Sequence, residues 1–99
     1  MTYPGPHPIT GDHVDLVLDN TSVTVTGSST VRGVTTAGQG YAELTLCDAD
    51  PQHRRALEAT TSVQYSLYQG GALLYASPPL HALHVSRAKS GALIITAAP

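Results

Sequence analysis

The chain has 99 residues, the length of a single domain, and only 12% of them are charged, with a formal net charge of −2. The five Lys and Arg residues form no patch, so nucleic-acid binding is not expected, because it normally requires clustered positive charge. A single cysteine excludes an internal disulfide and argues against a zinc site built from cysteines. No apolar run approaches the roughly 18 residues of a membrane helix, and the first residues lack the basic and apolar regions of a signal peptide.

Residues 1–11 contain Pro4, Pro6 and Pro8. Proline fixes φ and removes a backbone donor, so this segment is expected to be a flexible, extended arm. Residues 12–99 are expected to form one β-barrel domain. The arm is either idle or docks on a neighbouring subunit, and both interpretations stay open.

From residue 12 onward apolar residues recur at alternate positions, which is the pattern of half-buried β-strands. The first strand places Val14, Leu16 and Leu18 on one face. A second strand follows a polar turn, and Gly27-Ser28-Ser29 is expected to end it. Further strands are predicted at residues 30–36, 41–47, 62–69, 72–76, 80–87 and 92–97.

The period changes at residues 51–59, where one short helix is predicted. Asp50 can cap its first turn, and Pro51 occupies the first helical position, where proline is favoured. We interpret this helix as a plug or as a connector between strands.

A hairpin is predicted around Gly70-Gly71, because two glycines favour the positive φ angles of a tight turn. Leu73 and Leu74, which follow, are expected to stay in the wall of the sheet. Pro78-Pro79 cannot donate ladder hydrogen bonds, so the chain is expected to bend there or to move to another edge. The fold class is therefore mainly β, a small antiparallel β-barrel or sandwich of six to eight strands with one short helix.

No group of residues indicates catalysis. The five histidines are scattered, and His81 and His84 are expected to point to opposite faces of a strand. No serine stands in the G-x-S-x-G pattern of a nucleophile elbow. Asp48 and Asp50 are interpreted as residues that favour the positive start of the helix. We therefore expect no catalytic, cofactor or metal site, and no enzyme activity.

The order of the elements resembles that of small β-barrel proteins of phage virions. Roughly residues 12–97 resemble the opening barrel of baseplate-hub and late-control tail proteins, and residues 41–85 read YAELTLCDADPQHRRALEATTSVQYSLYQGGALLYASPPLHALHV. In those barrels an "xLxLxD" strand, a short helical connector and a "VxYxxYxxGxxLY" hairpin follow one another. The head–tail joining proteins of lambda-like phages are also similar, with "VRGV" and "AGQG" in the order of residues 31–34 and 37–40 here. The length of the chain favours the joining type.

The resemblance implies a structural protein of a phage or prophage virion, acting in head–tail joining or tail assembly through protein–protein contacts. Its partners would be other virion proteins, with copies of itself in a ring as one arrangement, and neither nucleic acid nor membrane. It would be a monomer before assembly, located in the host cytoplasm and then in the virion. The alternative is a small ligand- or protein-binding β-barrel module unrelated to phage.

Contact residues are expected in the arm, in the glycine-rich loop and among the tyrosines, since tyrosine is enriched at protein interfaces. The other interpretation of the tyrosines is that they are ordinary strand residues. The candidates are Pro4, Pro6, Pro8, Gly38, Gln39, Gly40, Tyr41, Tyr68 and Tyr75.

Overall fold

The computed structural model of the chain describes residues 7–36 and 38–99. It is mainly β with one short helix, as the sequence predicts. The first strand begins inside the segment predicted to be an arm. The elements are β1 (Ile9–Leu18), β2 (Thr21–Thr36), β3 (Gln39–Leu46), α1 (Pro51–Ala59), β4 (Val63–Gln69), β5 (Ala72–Ala76), β6 (His81–Arg87) and β7 (Leu93–Ala98).

The seven strands form one sheet in the order β5-β4-β1-β2-β3-β7-β6, and all neighbouring pairs are antiparallel. A flat sheet of this kind would be roughly 30 Å wide and about 10 Å thick. The chain measures 33 × 30 × 29 Å, so the sheet must be strongly rolled. It is not closed, because β5 and β6 are its two terminal strands.

The two edges of the sheet are brought near each other by the segment that contains Pro78-Pro79. Before the prolines β5 pairs with β4, and after them β6 pairs with β7 at the opposite edge. The predicted move to another edge is confirmed. Between the two strands Leu80 forms an isolated bridge to Val63 of β4, with N–H···O distances of 2.8 and 3.0 Å.

Gly27 does not end β2, contrary to the sequence-based expectation. It lies within the strand with a φ of +107°, and the pairing of β2 with β1 shifts register opposite Gly11–His13. Residues 21–26 and 29–31 of β2 pair with β1 on either side of this irregularity, and residues 29–36 pair with β3.

The core lies on the inner face of the roll. The alternation predicted for β1 is confirmed, since Val14, Leu16 and Leu18 are buried. The helix adds Leu57, which is 1% exposed, and the predicted cap is present: Asp50 Oδ1 accepts hydrogen bonds from the backbone N–H of Gln52 and His53. Each fully buried leucine contributes on the order of 1.5–3 kcal/mol relative to an exposed one.

Candidate functional site

Strand β5 carries two exposed leucines, Leu73 at 55% and Leu74 at 40% exposure. The sequence places both in the wall of the sheet. Their strand does lie there, but the side chains face solvent. Among the described residues Val17, at 45%, is the other large apolar side chain with comparable exposure. We call Leu73 and Leu74 the leucine edge, since β5 is a terminal strand.

A bulge explains how two adjacent leucines are exposed together. Tyr68 of β4 pairs with Leu73, whereas the preceding Leu67 pairs with Tyr75. Leu74 is therefore an extra residue with no opposite position on β4. Neighbouring side chains of a regular strand point to opposite faces, and a bulge changes the direction of the inserted side chain.

From β5 the leucine edge continues across β4 to β1 as a row of side chains on the outer face of the sheet. His13 of β1 pairs with Tyr68, and Tyr68 pairs with Leu73. The rings of His13 and Tyr68 are stacked, with centroids 4.9 Å apart and an interplanar angle of 5°. Residues directly opposite each other in an antiparallel ladder share a face. His13, Tyr68 and Leu73 therefore form one continuous strip, which we call the outer row.

Asp12 attaches the outer row to the β4–β5 turn. Its Oδ2 accepts a hydrogen bond of 2.7 Å from the backbone N–H of Gly70, and its Oδ1 lies 2.8 Å from Nδ1 of His13. The hydrogen bond from Gly70, followed by that from His13, lowers the pKa of the Asp12 carboxyl. This carboxylate therefore holds the turn of the hairpin that presents the leucine edge.

The turn itself has the predicted geometry. Gly70 and Gly71 have φ values of +58° and +84°, close to those of a type I′ turn, which requires positive φ at both central residues. The turn joins Gln69 and Ala72, which pair directly. It fixes the start of β5, and the bulge at Leu74 follows within the next two residues.

The predicted contact residues that the structure describes lie on several different elements. Two of them, Pro4 and Pro6, lie outside the described residues, and the side chain of Gln39 is not described either. Tyr68 is half-buried in the outer row, and Pro8 is exposed. The remaining candidates lie at the start of β3 or directly before it, and β4, β1 and β2 separate β3 from β5 in the sheet. They are Gly38, Gln39, Gly40 and Tyr41.

Tyr75 is a core residue. It is 5% exposed, and its ring centroid lies 6.2 Å from that of Tyr65. Burial raises the pKa of its hydroxyl. Because Tyr75 pairs with the buried Leu67, its side chain lies on the inner face. A buried side chain offers no surface to a partner, so Tyr75 does not fit the contact role predicted for it.

A shallow depression of about 360 Å³ lies between the β1–β2 turn and the end of α1. Its one ionisable lining group, Asp19, accepts hydrogen bonds from the backbone and hydroxyl groups of Thr61 and Ser62. The backbone hydrogen bond from Thr61 is the main reason that the pKa of Asp19 is lowered. The carboxylate therefore joins the β1–β2 turn to the connection that follows α1. The depression is lined by Leu18, Asp19, Asn20, Thr21, Ala56, Ala59 and Thr60.

Within residues 7–36 and 38–99 no three His, Cys, Asp or Glu side chains are grouped so that they could hold a metal ion. The same part of the chain contains no helix long and apolar enough to span a membrane. His81 and His84 are both exposed on β6. The expectation that they point to opposite faces is wrong, because the pairing of β6 with β7 shifts register between them and their partners, Ala98 and Thr96, share a face of β7.

Comparisons with protein-family models, with curated proteins and with solved structures find no match for this chain.

Proposed function

We propose that the chain is a structural protein of a phage or prophage virion, which acts in head–tail joining or tail assembly through protein–protein contacts. The order of strand, short helix and two-strand hairpin in residues 41–85 supports the class of protein. The leucine edge supports the mode of action, and it is the observation on which the proposal depends. Apolar side chains held outward on a terminal strand are a feature of contact surfaces.

The energy available from the leucine edge indicates what kind of contact it suits. Full burial of a leucine is worth about 1.5–3 kcal/mol, so covering the exposed half of each side chain contributes about 1 kcal/mol. Two leucines then contribute about 2 kcal/mol, far below the roughly 8 kcal/mol of a micromolar complex. Such a surface suits a subunit that is held by several simultaneous contacts, because effective concentration multiplies weak affinities.

The alternative, a small-ligand module, has less support. Ligand pockets are usually deep and combine apolar walls with a few converging polar groups. The depression beside α1 is shallow, and Asp19 already accepts hydrogen bonds from Thr61 and Ser62. The other residues that line it carry no charge.

The proposal is tested by producing phage particles without this chain and examining them by negative-stain electron microscopy. We expect separate heads and tails, or incomplete tails, and rescue by the wild-type chain supplied in trans. Leu74→Lys is expected not to rescue, because it places a charge in the contact. Val17→Lys is the matched control, since Val17 is similarly exposed on β1, and it is expected to rescue fully.

Complete, infectious particles formed without the chain would contradict the proposal. A thermal-unfolding screen with cyclic dinucleotides, sugars and metal ions examines the alternative. Reproducible stabilisation by one of these compounds would favour the ligand-binding module instead.

A further inference from the structure

Building on the proposed function, we infer that the partner of the leucine edge is a second copy of this chain. In this arrangement the β5 strands of the two copies meet antiparallel about a twofold axis, and Leu73 and Leu74 of one copy pack on those of the other. Antiparallel pairing is the mode used by every ladder of the sheet.

The hairpin is free of charge over the whole segment that such a contact would cover. Residues 69–79, QGGALLYASPP, contain no Asp, Glu, Lys, Arg or His. Two copies can therefore approach without bringing like charges together and without burying an unpaired charge, either of which would oppose association. The carboxylate that reaches the turn, Asp12, is hydrogen-bonded to Gly70 and lies 2.8 Å from the His13 ring.

The other edge of the sheet is protected in ways that β5 is not. Strand β6 exposes His81, His84 and Arg87. Charged and polar side chains are a usual means by which edge strands avoid pairing. A head-to-tail contact would set the leucines of β5 against these polar side chains, whereas a twofold contact sets leucine against leucine. The twofold contact is therefore the favoured one.

The size of the contact indicates that it is weak. Five residues of strand extend about 17 Å, and with a sheet thickness of about 10 Å the strip measures on the order of 200 Å² per copy. Stable complexes bury about 800 Å² per partner. The bulge at Leu74 further limits a continuous ladder. Copies are thus monomeric in dilute solution and pair when they are concentrated, as they are within an assembled particle.

The test is sedimentation velocity of the purified chain from about 10 μM to about 1 mM, a range that detects weak dimers. We expect the wild type to shift from monomer toward dimer over this range. Leu74→Lys is expected to weaken the dimer at least about tenfold, and Val17→Lys, with the same added charge, is expected to leave it unchanged. Leu73→Lys is the second variant, used if Leu74→Lys alters the circular dichroism spectrum.

A wild-type chain that stays monomeric at the highest concentration would overturn the inference, as would equal weakening by Leu74→Lys and Val17→Lys. The result is separable from the proposed function. If the chain remains monomeric but Leu74→Lys still fails to rescue particle assembly, the leucine edge binds a different virion protein, and the proposed function stands without the second copy.

Discussion

Asp19 in the β1–β2 turn accepts hydrogen bonds from the backbone N–H and the hydroxyl of Thr61, 42 residues later in the chain, over 3.2 and 2.9 Å. Ser62 donates two more to the same carboxylate, over 3.1 and 3.0 Å. The side chain thereby fastens the first hairpin to the connection between α1 and β4. Asp19 also has a φ of +49°, a conformation that Asp and Asn adopt more readily than other residues with a Cβ.

These contacts predict an order of stability at position 19. Asp19→Asn keeps an acceptor oxygen and tolerates the positive φ, whereas Asp19→Ala loses both advantages. We expect the urea midpoint to fall from wild type to Asp19→Asn and further to Asp19→Ala, with an unchanged m-value. Asp15→Asn is the control for the loss of a carboxylate, because Asp15 accepts a hydrogen bond from Thr24 on the neighbouring strand and not from the connection between α1 and β4. A midpoint for Asp19→Ala equal to that of the wild type would show that the four bonds contribute nothing.

The lowered pKa of Asp19 predicts a loss of stability in acid. Its ordinary value is 3.8, and the hydrogen bond from the Thr61 backbone is the largest cause of the lowering. As pH falls below that value the unfolded chain takes up the proton first, so the folded state loses stability down to its own lower pKa. Asp19→Asn cannot titrate. The difference in urea midpoint between wild type and Asp19→Asn should therefore shrink between neutral pH and about pH 2, and a constant difference would contradict this linkage.

Tyr65 has a buried hydroxyl with no hydrogen-bond partner among the described residues. A buried polar group without a partner costs about 1–3 kcal/mol. Tyr65→Phe removes the oxygen and keeps the ring, so we expect the free energy of unfolding to rise by about 1 kcal/mol. Tyr68→Phe, at a half-buried position on the outer face, should change little. A destabilised Tyr65→Phe variant in chemical unfolding would mean that the hydroxyl is satisfied, for example by a buried water.

The same burial predicts how the chain behaves in alkali. Desolvation, and then the proximity of Tyr75, raises the pKa of Tyr65 from its ordinary value of 10.0. The unfolded chain therefore ionises first as pH rises above 10.0, and stability is lost from that point upward. In an ultraviolet titration, we expect Tyr65 and Tyr75 to ionise only with unfolding, and Tyr65→Phe to move the transition to higher pH. Ionisation of all tyrosines in the folded state would refute this.

The sequence predicts most of the fold because period-two alternation and turn chemistry are local signals. The buried face of β1, the cap at Asp50 and the turn at Gly70-Gly71 all follow from neighbouring residues. The exposure of Leu73 and Leu74 does not, because it depends on a register shift between β4 and β5. Alternation alone assigns one of two adjacent leucines to the inner face, and a bulge overrides it.

Gly27 illustrates the same limit. A glycine between polar residues predicts the end of a strand, yet β2 continues through Gly27. What the sequence does not reveal is the side chain of Asp48, which lies so close that a Cβ on residue 27 would collide with it. The glycine is required by a contact between distant parts of the chain and by its own φ of +107°, not by a turn.

Gly27→Ala is therefore expected to be costly for two separable reasons. The positive φ alone costs a residue with a Cβ on the order of 1–3 kcal/mol, and the collision with Asp48 adds to it. Gly91→Ala measures the first cost, since Gly91 has a φ of +93° and open space around it. Chemical unfolding should show a larger loss for Gly27→Ala than for Gly91→Ala, and Asp48→Gly should recover part of that excess. Equal losses at the two glycines, with no recovery from Asp48→Gly, would mean that Asp48 moves aside freely and that backbone strain is the whole effect.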